Sequence, residues 1–270
     1  MKTALIAALL LVATPAFAVT LDLKGEPVQG GLVFGQTDPG AKVQLDRKDI
    51  RVAPSGEFVI GFSRDGKDPH ELTATGRDSS KESRSLAVTE RTFDIQRIDG
   101  LPQRQVTPNA EDLTRIRAEA AEMKAARAQL GADALFRSGF DWPAEGPISG
   151  VYGSQRILNG EPRAPHYGLD IAGPTGTPVR AAADGTVLFA HPGMYFNGRT
   201  LVIDHGLGLQ SIYLHLSEIS VQPGKRVHKG DVVGKIGATG RVTGAHLHWA
   251  LQWNDVYVDP LLVVPPRSNP

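Results

Sequence analysis

Two short patterns and one further histidine hold the side chains best suited to chemistry. The first pattern is His166-Tyr167-Gly168-Leu169-Asp170, a histidine and an aspartate four residues apart. The second is His246-Leu247-His248, two histidines flanking one apolar residue. The third candidate is His215, inside the strand-like run Ser211-Ile212-Tyr213-Leu214-His215-Leu216. Pro165 and Gly168 argue against a helix at the first site, so that segment reads as extended. In a strand, residues two or four apart share a face. His166 and Asp170 then point the same way, and so do His246 and His248. Imidazole nitrogen and carboxylate oxygen suit zinc, and a catalytic zinc takes three protein ligands and keeps a fourth position for water. Four histidines and one aspartate supply three ligands and two histidines over, for acid–base work or oxyanion stabilisation. Zinc would lower the pKa of its water to about 7 and polarise a carbonyl, which is peptide hydrolysis without a covalent intermediate. Spacing alone does not decide which histidine binds metal and which moves protons.

These residues need strands to position them, and the chain offers strands on both sides of one helix. From about residue 140 to Val264, glycine and β-branched residues alternate with short apolar runs, and seven of the eight histidines lie there. Residues 109–130 read as a helix with Asn109 as cap and Glu111 and Asp112 in the first turn. Leu113, Ile116, Ala120, Met123 and Leu130 fall near one face. Glu111 and Arg115 form an i,i+4 pair, and Gly131 is the stop. Residues 19–98 read as short strands, among them Leu32–Phe34, Lys42–Leu45, Phe58–Phe62 and Glu71–Thr75. Between them sit the turn sequences Asp38-Pro39-Gly40, Pro54-Ser55-Gly56 and Asp65-Gly66. That spacing suggests a small antiparallel β-sandwich. The expected organisation is therefore mainly β: a sandwich at 19–98, a linker at 99–139 containing the helix, and a β-rich domain at 140–264. The tail 265–270 reads as disordered. Met1-Lys2, the apolar run Ala4–Ala13, Pro15 and Ala16-Phe17-Ala18 have the pattern of a secretory signal peptide over residues 1–18. The run is too short for a membrane anchor.

Composition narrows the function. The 270 residues carry 29 Lys plus Arg against 29 Asp plus Glu, so the formal net charge is zero. A neutral chain argues against a nucleic-acid binder that relies on a basic surface. Cysteine is absent, which excludes disulfides, thiolate zinc ligands and a cysteine nucleophile. Hydrophobic residues at 41% are sufficient for ordinary globular cores.

The stretch from about Trp142 to Pro260 resembles the lysostaphin-like (LytM-type) family of zinc metalloendopeptidases, which act on peptidoglycan. The resemblance rests on an ordered series of motifs. It includes Gly146–Gly153, His166–Ala172, Gly176-Thr177-Pro178-Val179, Ala183–Val187, Ile203-Asp204-His205-Gly206, Tyr213–Leu216, Gly237–Gly240 and Gly244–His248. It implies a peptidase domain with its groove on an antiparallel sheet and one zinc ion per chain. His166, Asp170 and His248 would be the ligands. His215 and His246 would be the catalytic histidines, activating water and stabilising the oxyanion. All five positions hold the expected residue type. The chain departs from the family pattern at Asn197–Thr200, Ala245 and Trp249, none of them a ligand position. The expected activity is hydrolysis of peptide bonds in peptidoglycan stems or cross-links by an exported protein, periplasmic in location. Activity should fall below about pH 6, because protonated imidazole does not coordinate metal.

The other histidines read as structural. His70 and His191 sit in surface segments, His228 beside Lys229 is exposed, and His205 before Gly206 takes a turn or hydrogen-bonding role. Arg156 reads as a surface residue, with a contact to a substrate carboxylate as the sharper alternative. Two rival readings stand beside the enzyme. A biotinyl- or lipoyl-type carrier is suggested by Val227–Ile236 and Ala183–Val187, but Met194, the only Met in that region, has no adjacent Lys to carry the group. A non-catalytic cell-wall-binding regulator of a peptidoglycan hydrolase on the same fold is separated from the enzyme by mutation of His215. No transmembrane segment is expected, and the sequence names neither a protein partner nor a role for the N-terminal sandwich.

Overall fold

The computed structural model describes residues 18–98, 109–158 and 160–267, without the side chains of Ile98, Arg156 and Leu158. Residues 1–17 of the expected signal and the linker stretch 99–108 lie outside the described residues.

The N-terminal half is two antiparallel sheets around a shared core. One sheet has the order β1 (Leu21–Lys24), β2 (Leu32–Thr37), β5 (Glu57–Gly61). The other runs β4 (Lys48–Ile50), β3 (Lys42–Leu45), β6 (His70–Thr75), β7 (Lys81–Leu86). Val33, Val43, Phe58, Ile60, Leu72 and Ala74 are buried between them. Burying such side chains, each contributing about 2 kcal/mol, supplies most of the driving force for a unit this small. One strand, β8 (Ile95–Ile98), leaves this pattern. It pairs in parallel with β10 (Gln155–Leu158) of the second half, and β10 pairs in turn with β11 (Glu161–Pro162).

Helix α1 (Ala110–Arg127) starts where Asn109 Oδ1 accepts the Asp112 amide, with Glu111 and Asp112 in its first turn and Lys124 and Arg127 in its last. Its docked stripe is Ile116, Glu119, Met123 and Ala126. Leu113 and Ala120, expected on the packed face, are exposed. The reason is polar: Glu119 accepts the Tyr195 amide at 2.8 Å and holds Arg115 at 2.7 Å, and Arg115 also donates to Gly193 O. Arg115 therefore pairs with Glu119 rather than Glu111.

The second half is built on an eight-stranded sheet. Its strands are β9 (Ile148–Gly150), β12 (Leu169–Ala172), β14 (Gly185–Met194), β15 (Gly198–Gly206), β16 (Leu209–Leu216), β18 (Arg226–Val227), β20 (His246–Trp253) and β21 (Val256–Val258). The order is β18-β14-β15-β16-β20-β12-β9, with β21 on β20. A smaller sheet, with β19 (Val232–Lys235) between β13 (Pro178–Arg180) and β17 (Glu218–Ile219), shares the core behind it.

Alternation gives the large sheet two unlike faces. Leu169, Ile171, Leu201, Ile203, Tyr213, Leu247, Trp249 and Leu251 are buried behind it. The residues between them on β12 and β20 face the front. There Met123 and Ala126 of α1 pack on Phe189, Met194, Val202, Ile212 and Ala250. The helix thus roofs part of the front face, over β14, β15, β16 and β20. At the other end, Trp142 Nε1 donates to Pro265 O, and the Arg267 guanidinium bonds Gly146 O and Ala144 O and lies over the Trp142 ring. Residues 265–267, read from sequence as the start of a disordered tail, are held there by these contacts. A cleft of about 600 Å³ between the halves is lined by Leu23, Phe34, Phe136, Phe140 and Leu262. None of the five candidate residues lines it.

Candidate active site

The register of three strands assembles the site. Asp170 lies directly opposite His248 in the β12–β20 pair, and Leu214 lies opposite His248 in the β16–β20 pair. A slip of one residue would turn His246 and His248 into the core and expose Leu247 and Trp249. The buried apolar alternation therefore fixes the polar face as well. His166 precedes β12 in an extended segment. Gly168 between them makes room: a Cβ there would come within 2.6 Å of His248 Nε2.

Three donor atoms converge. His166 Nε2 lies 3.0 Å from Asp170 Oδ1 and 3.0 Å from His248 Nδ1, and His248 Nδ1 lies 2.9 Å from Asp170 Oδ1. The side chains are partly shielded, between 15% and 24% exposed. Burial opposes the charged form of Asp170, but hydrogen bonds and positive potential from His166 and His248 outweigh it and hold the carboxyl well below the usual carboxylate range. Burial pushes the His248 imidazole down, against the Asp170 carboxylate. Two bare nitrogens and a carboxylate oxygen aimed at one point repel unless a proton or a cation lies among them. Two imidazoles and one carboxylate are also a donor set that suits zinc. These residues fit such an ion.

The other two histidines stand beside this cluster. The His215 ring centre is 5.0 Å from that of His246 and 6.2 Å from that of His248. His246 Nε2 is 3.9 Å from Asp170 Oδ1. His215 reaches the front face by an irregularity. Tyr213 is a core residue, so strict alternation would send His215 into the core too. Its backbone instead takes φ +65°, and its amide donates to Asn197 O rather than to a ladder partner. A non-glycine residue in that region costs about 1–3 kcal/mol.

Backbone carbonyls orient the rings. Nδ1 of His166 donates to Val151 O, Nδ1 of His215 to Thr239 O, and Nδ1 of His246 to Gly244 O, at 2.9–3.0 Å. Each ring is thereby fixed with Nε2 as its acceptor toward the centre. Burial pushes the His215 imidazole down to about 4, with the carbonyl bond to Thr239 opposing and the neighbouring imidazoles assisting, so it stands neutral near pH 7. The sequence reading missed these carbonyls. A main-chain acceptor leaves no mark in residue type.

The remaining histidines fall elsewhere. His205 is fully buried, with Nδ1 donating to Asp184 O at 2.7 Å and Nε2 2.7 Å from Ser211 Oγ. His70, read as a loop residue, begins β6 and pairs with Asp46 at 2.6 Å. His191 lies in β14, stacked on Phe189, and His228 is exposed. The side chain of Arg156 lies outside the described residues.

Fold and site together define a β-sheet metallopeptidase-like centre, and comparison with known proteins gives the family. Residues 164–260 match the model of peptidase family M23. A crystal structure of a putative peptidase M23 from Pseudomonas aeruginosa is 32% identical in sequence. It aligns over 88% of this chain and 94% of its own length with a TM-score of 0.66. The chain belongs to peptidase family M23. Curated relatives match over part of the chain. One is the DD-carboxypeptidase/endopeptidase Mpg of Neisseria meningitidis, 44% identical over 105 residues, 38% of this chain and 24% of that protein. Another is the peptidoglycan DD-endopeptidase ShyA of Vibrio cholerae, 48% identical over 90 residues, 33% of this chain and 20% of that protein. The chain thus spans about a quarter or less of the length of these relatives.

Proposed function

We propose that this protein is a zinc-dependent endopeptidase that hydrolyses peptide bonds in peptidoglycan stems or cross-links. The observation that carries the reading is the convergence of His166 Nε2, Asp170 Oδ1 and His248 Nδ1, with His215 and His246 beside them. His166, Asp170 and His248 would hold one zinc ion. Bound there, zinc supplies a Lewis acid that makes water a nucleophile near neutral pH and polarises the scissile carbonyl. His215 enters the reaction neutral with Nε2 as an acceptor. With His246 it takes the proton of the attacking water. The imidazolium so formed then donates to the developing oxyanion and passes its proton to the leaving amine. The substrate class is supported by the name of one curated relative, the peptidoglycan DD-endopeptidase ShyA. Peptidoglycan lies outside the cytoplasm, in keeping with the export signal read in residues 1–18. A periplasmic location is part of this proposal. No helix among the described residues is long and apolar enough to cross a membrane.

Digestion of purified sacculi tests the proposal, with products identified by mass. The expected result is release of uncross-linked muropeptides, abolished by a chelator, restored by zinc and lost in His215→Ala. No release under zinc-replete conditions would overturn it and favour a regulator that binds without cleaving.

A further inference from the structure

The segment that presents His166 is not held by the peptidase sheet alone. Residues Val151–Ser154 turn between β9 and β10 and grip His166 at three points. Val151 O accepts from the ring, Ser154 O accepts the His166 amide at 2.8 Å, and the Gly153 amide donates to His166 O at 2.8 Å. This turn is itself gripped from the N-terminal half. Arg64, only 9% exposed, donates from Nε to Gly153 O at 2.8 Å. The Phe93 ring abuts Gly153, where φ is +82° and a Cβ would come 2.0 Å from the ring. No side chain fits there. The Arg64 guanidinium lies 4.6 Å from the Phe93 ring centre, and that of Arg91 lies 5.2 Å from it. Arg91 is tied to the buried Asp259 at 2.7 Å. One residue further on, the Gln155 amide donates to Asp94 O, which starts the β8–β10 pairing.

A buried guanidinium is costly unless its donors are used. Arg64 comes from the turn after β5, yet its Nε partner belongs to the other half of the molecule. The Arg64 Nη1 pairs with the neighbouring Asp65, and its Nε closes a chain of contacts that ends on the His166 ring. Groups one step behind a metal ligand commonly change metal affinity 10- to 100-fold.

We propose that Arg64 is a positioning residue for the metal centre: by holding Gly153 it fixes the Val151–Ser154 turn and the His166 ring, so the N-terminal sandwich sets the zinc affinity of the site. This rests on reading His166 as a ligand. Its function in the molecule is then that of a mount for the peptidase site.

The test is zinc affinity of the full chain, stripped of metal and titrated against a chromophoric chelator. Arg64→Met keeps the chain length and removes the donor. Arg64→Gln keeps an N–H donor at the position of Nε. Phe93→Leu loosens the turn without leaving a charge unpaired, and stays informative if the Arg64 variants fold poorly. Far-UV circular dichroism and metal-free melting temperature report folding. We expect Arg64→Met to weaken zinc binding about tenfold and Phe93→Leu to weaken it in the same direction. We expect Arg64→Gln to return to within about threefold of wild type at a melting temperature similar to that of Arg64→Met. Wild-type affinity in Arg64→Met and Phe93→Leu, with zinc binding lost in His166→Ala, would overturn the positioning role alone. Equal zinc binding by wild type and His166→Ala would overturn the ligand assignment, and the positioning role with it.

Discussion

His215 and Gly168 show how little separates a site from a strand. His215 is turned to the front by one left-handed residue, and its Nδ1 is fixed by Thr239 O. On the proposed roles, His215→Ala and His246→Ala lower kcat by about 10²–10⁴-fold while one zinc per chain is retained. Metal analysis beside a muropeptide assay checks this. Asp170→Ala and His166→Ala instead lose the zinc. Gly168→Ala does so without replacing a ligand residue, because its methyl displaces the His248 ring. A zinc stoichiometry near one in Gly168→Ala would contradict the packing argument.

At the scale of elements, β20 does two jobs with one alternation. Leu247 between the histidines is fully buried, and Leu247→Ala should cost about 2–5 kcal/mol in urea unfolding of the metal-free protein. Helix α1 is attached differently, by Glu119 on the Tyr195 amide and Arg127 Nε on Gln210 Oε1 as well as by Met123 and Ala126. Burial opposes the Glu119 charge, but the Tyr195 amide and Arg115 outweigh it and lower its carboxyl pKa. Its contribution is therefore present near neutral pH and fades as pH falls through that lowered value. Glu119→Ala should cost about 1–2 kcal/mol by stranding the Tyr195 amide. Faster proteolysis within residues 110–127 would accompany it.

At the scale of the molecule, a buried polar chain lies behind the sheet. Ser211 Oγ links His205 Nε2 to Tyr213 Oη, and His205 Nδ1 also donates to Asp184 O. Burial pushes His205 down to about 4 from 6.5, so the unfolded chain binds the extra proton between those values. Stability is full above pH 6.5 and is lost as pH falls toward 4, on the order of 3 kcal/mol. Urea midpoints measured from pH 7.5 to 4.5 check this, and His205→Gln should flatten the slope. The two halves meet through Arg91 and Asp259, which is 2% exposed. Arg91→Ala leaves that carboxylate without its cation and should cost about 3 kcal/mol.

The sequence by itself determined the strand-rich texture, the helix cap at Asn109 and the residue types of the site. Period-two alternation and turn residues are local properties, so Leu247 between two histidines already implied one buried and one polar face. The order of motifs around His166, Asp170, His215, His246 and His248 pointed to the family before any contact was known. Tertiary structure alone decided the rest. Alternation sends His215 the wrong way, and only packing against Asn197 and Thr239 turns it around. The α1 stripe follows Glu119 rather than Ala120, because the Tyr195 amide it satisfies lies 76 residues away in sequence. The departure of β8 from the sandwich and the grip of Arg64 on Gly153 are likewise long-range. They depend on which main-chain acceptors are left exposed after folding, and a carbonyl oxygen is the same in every residue.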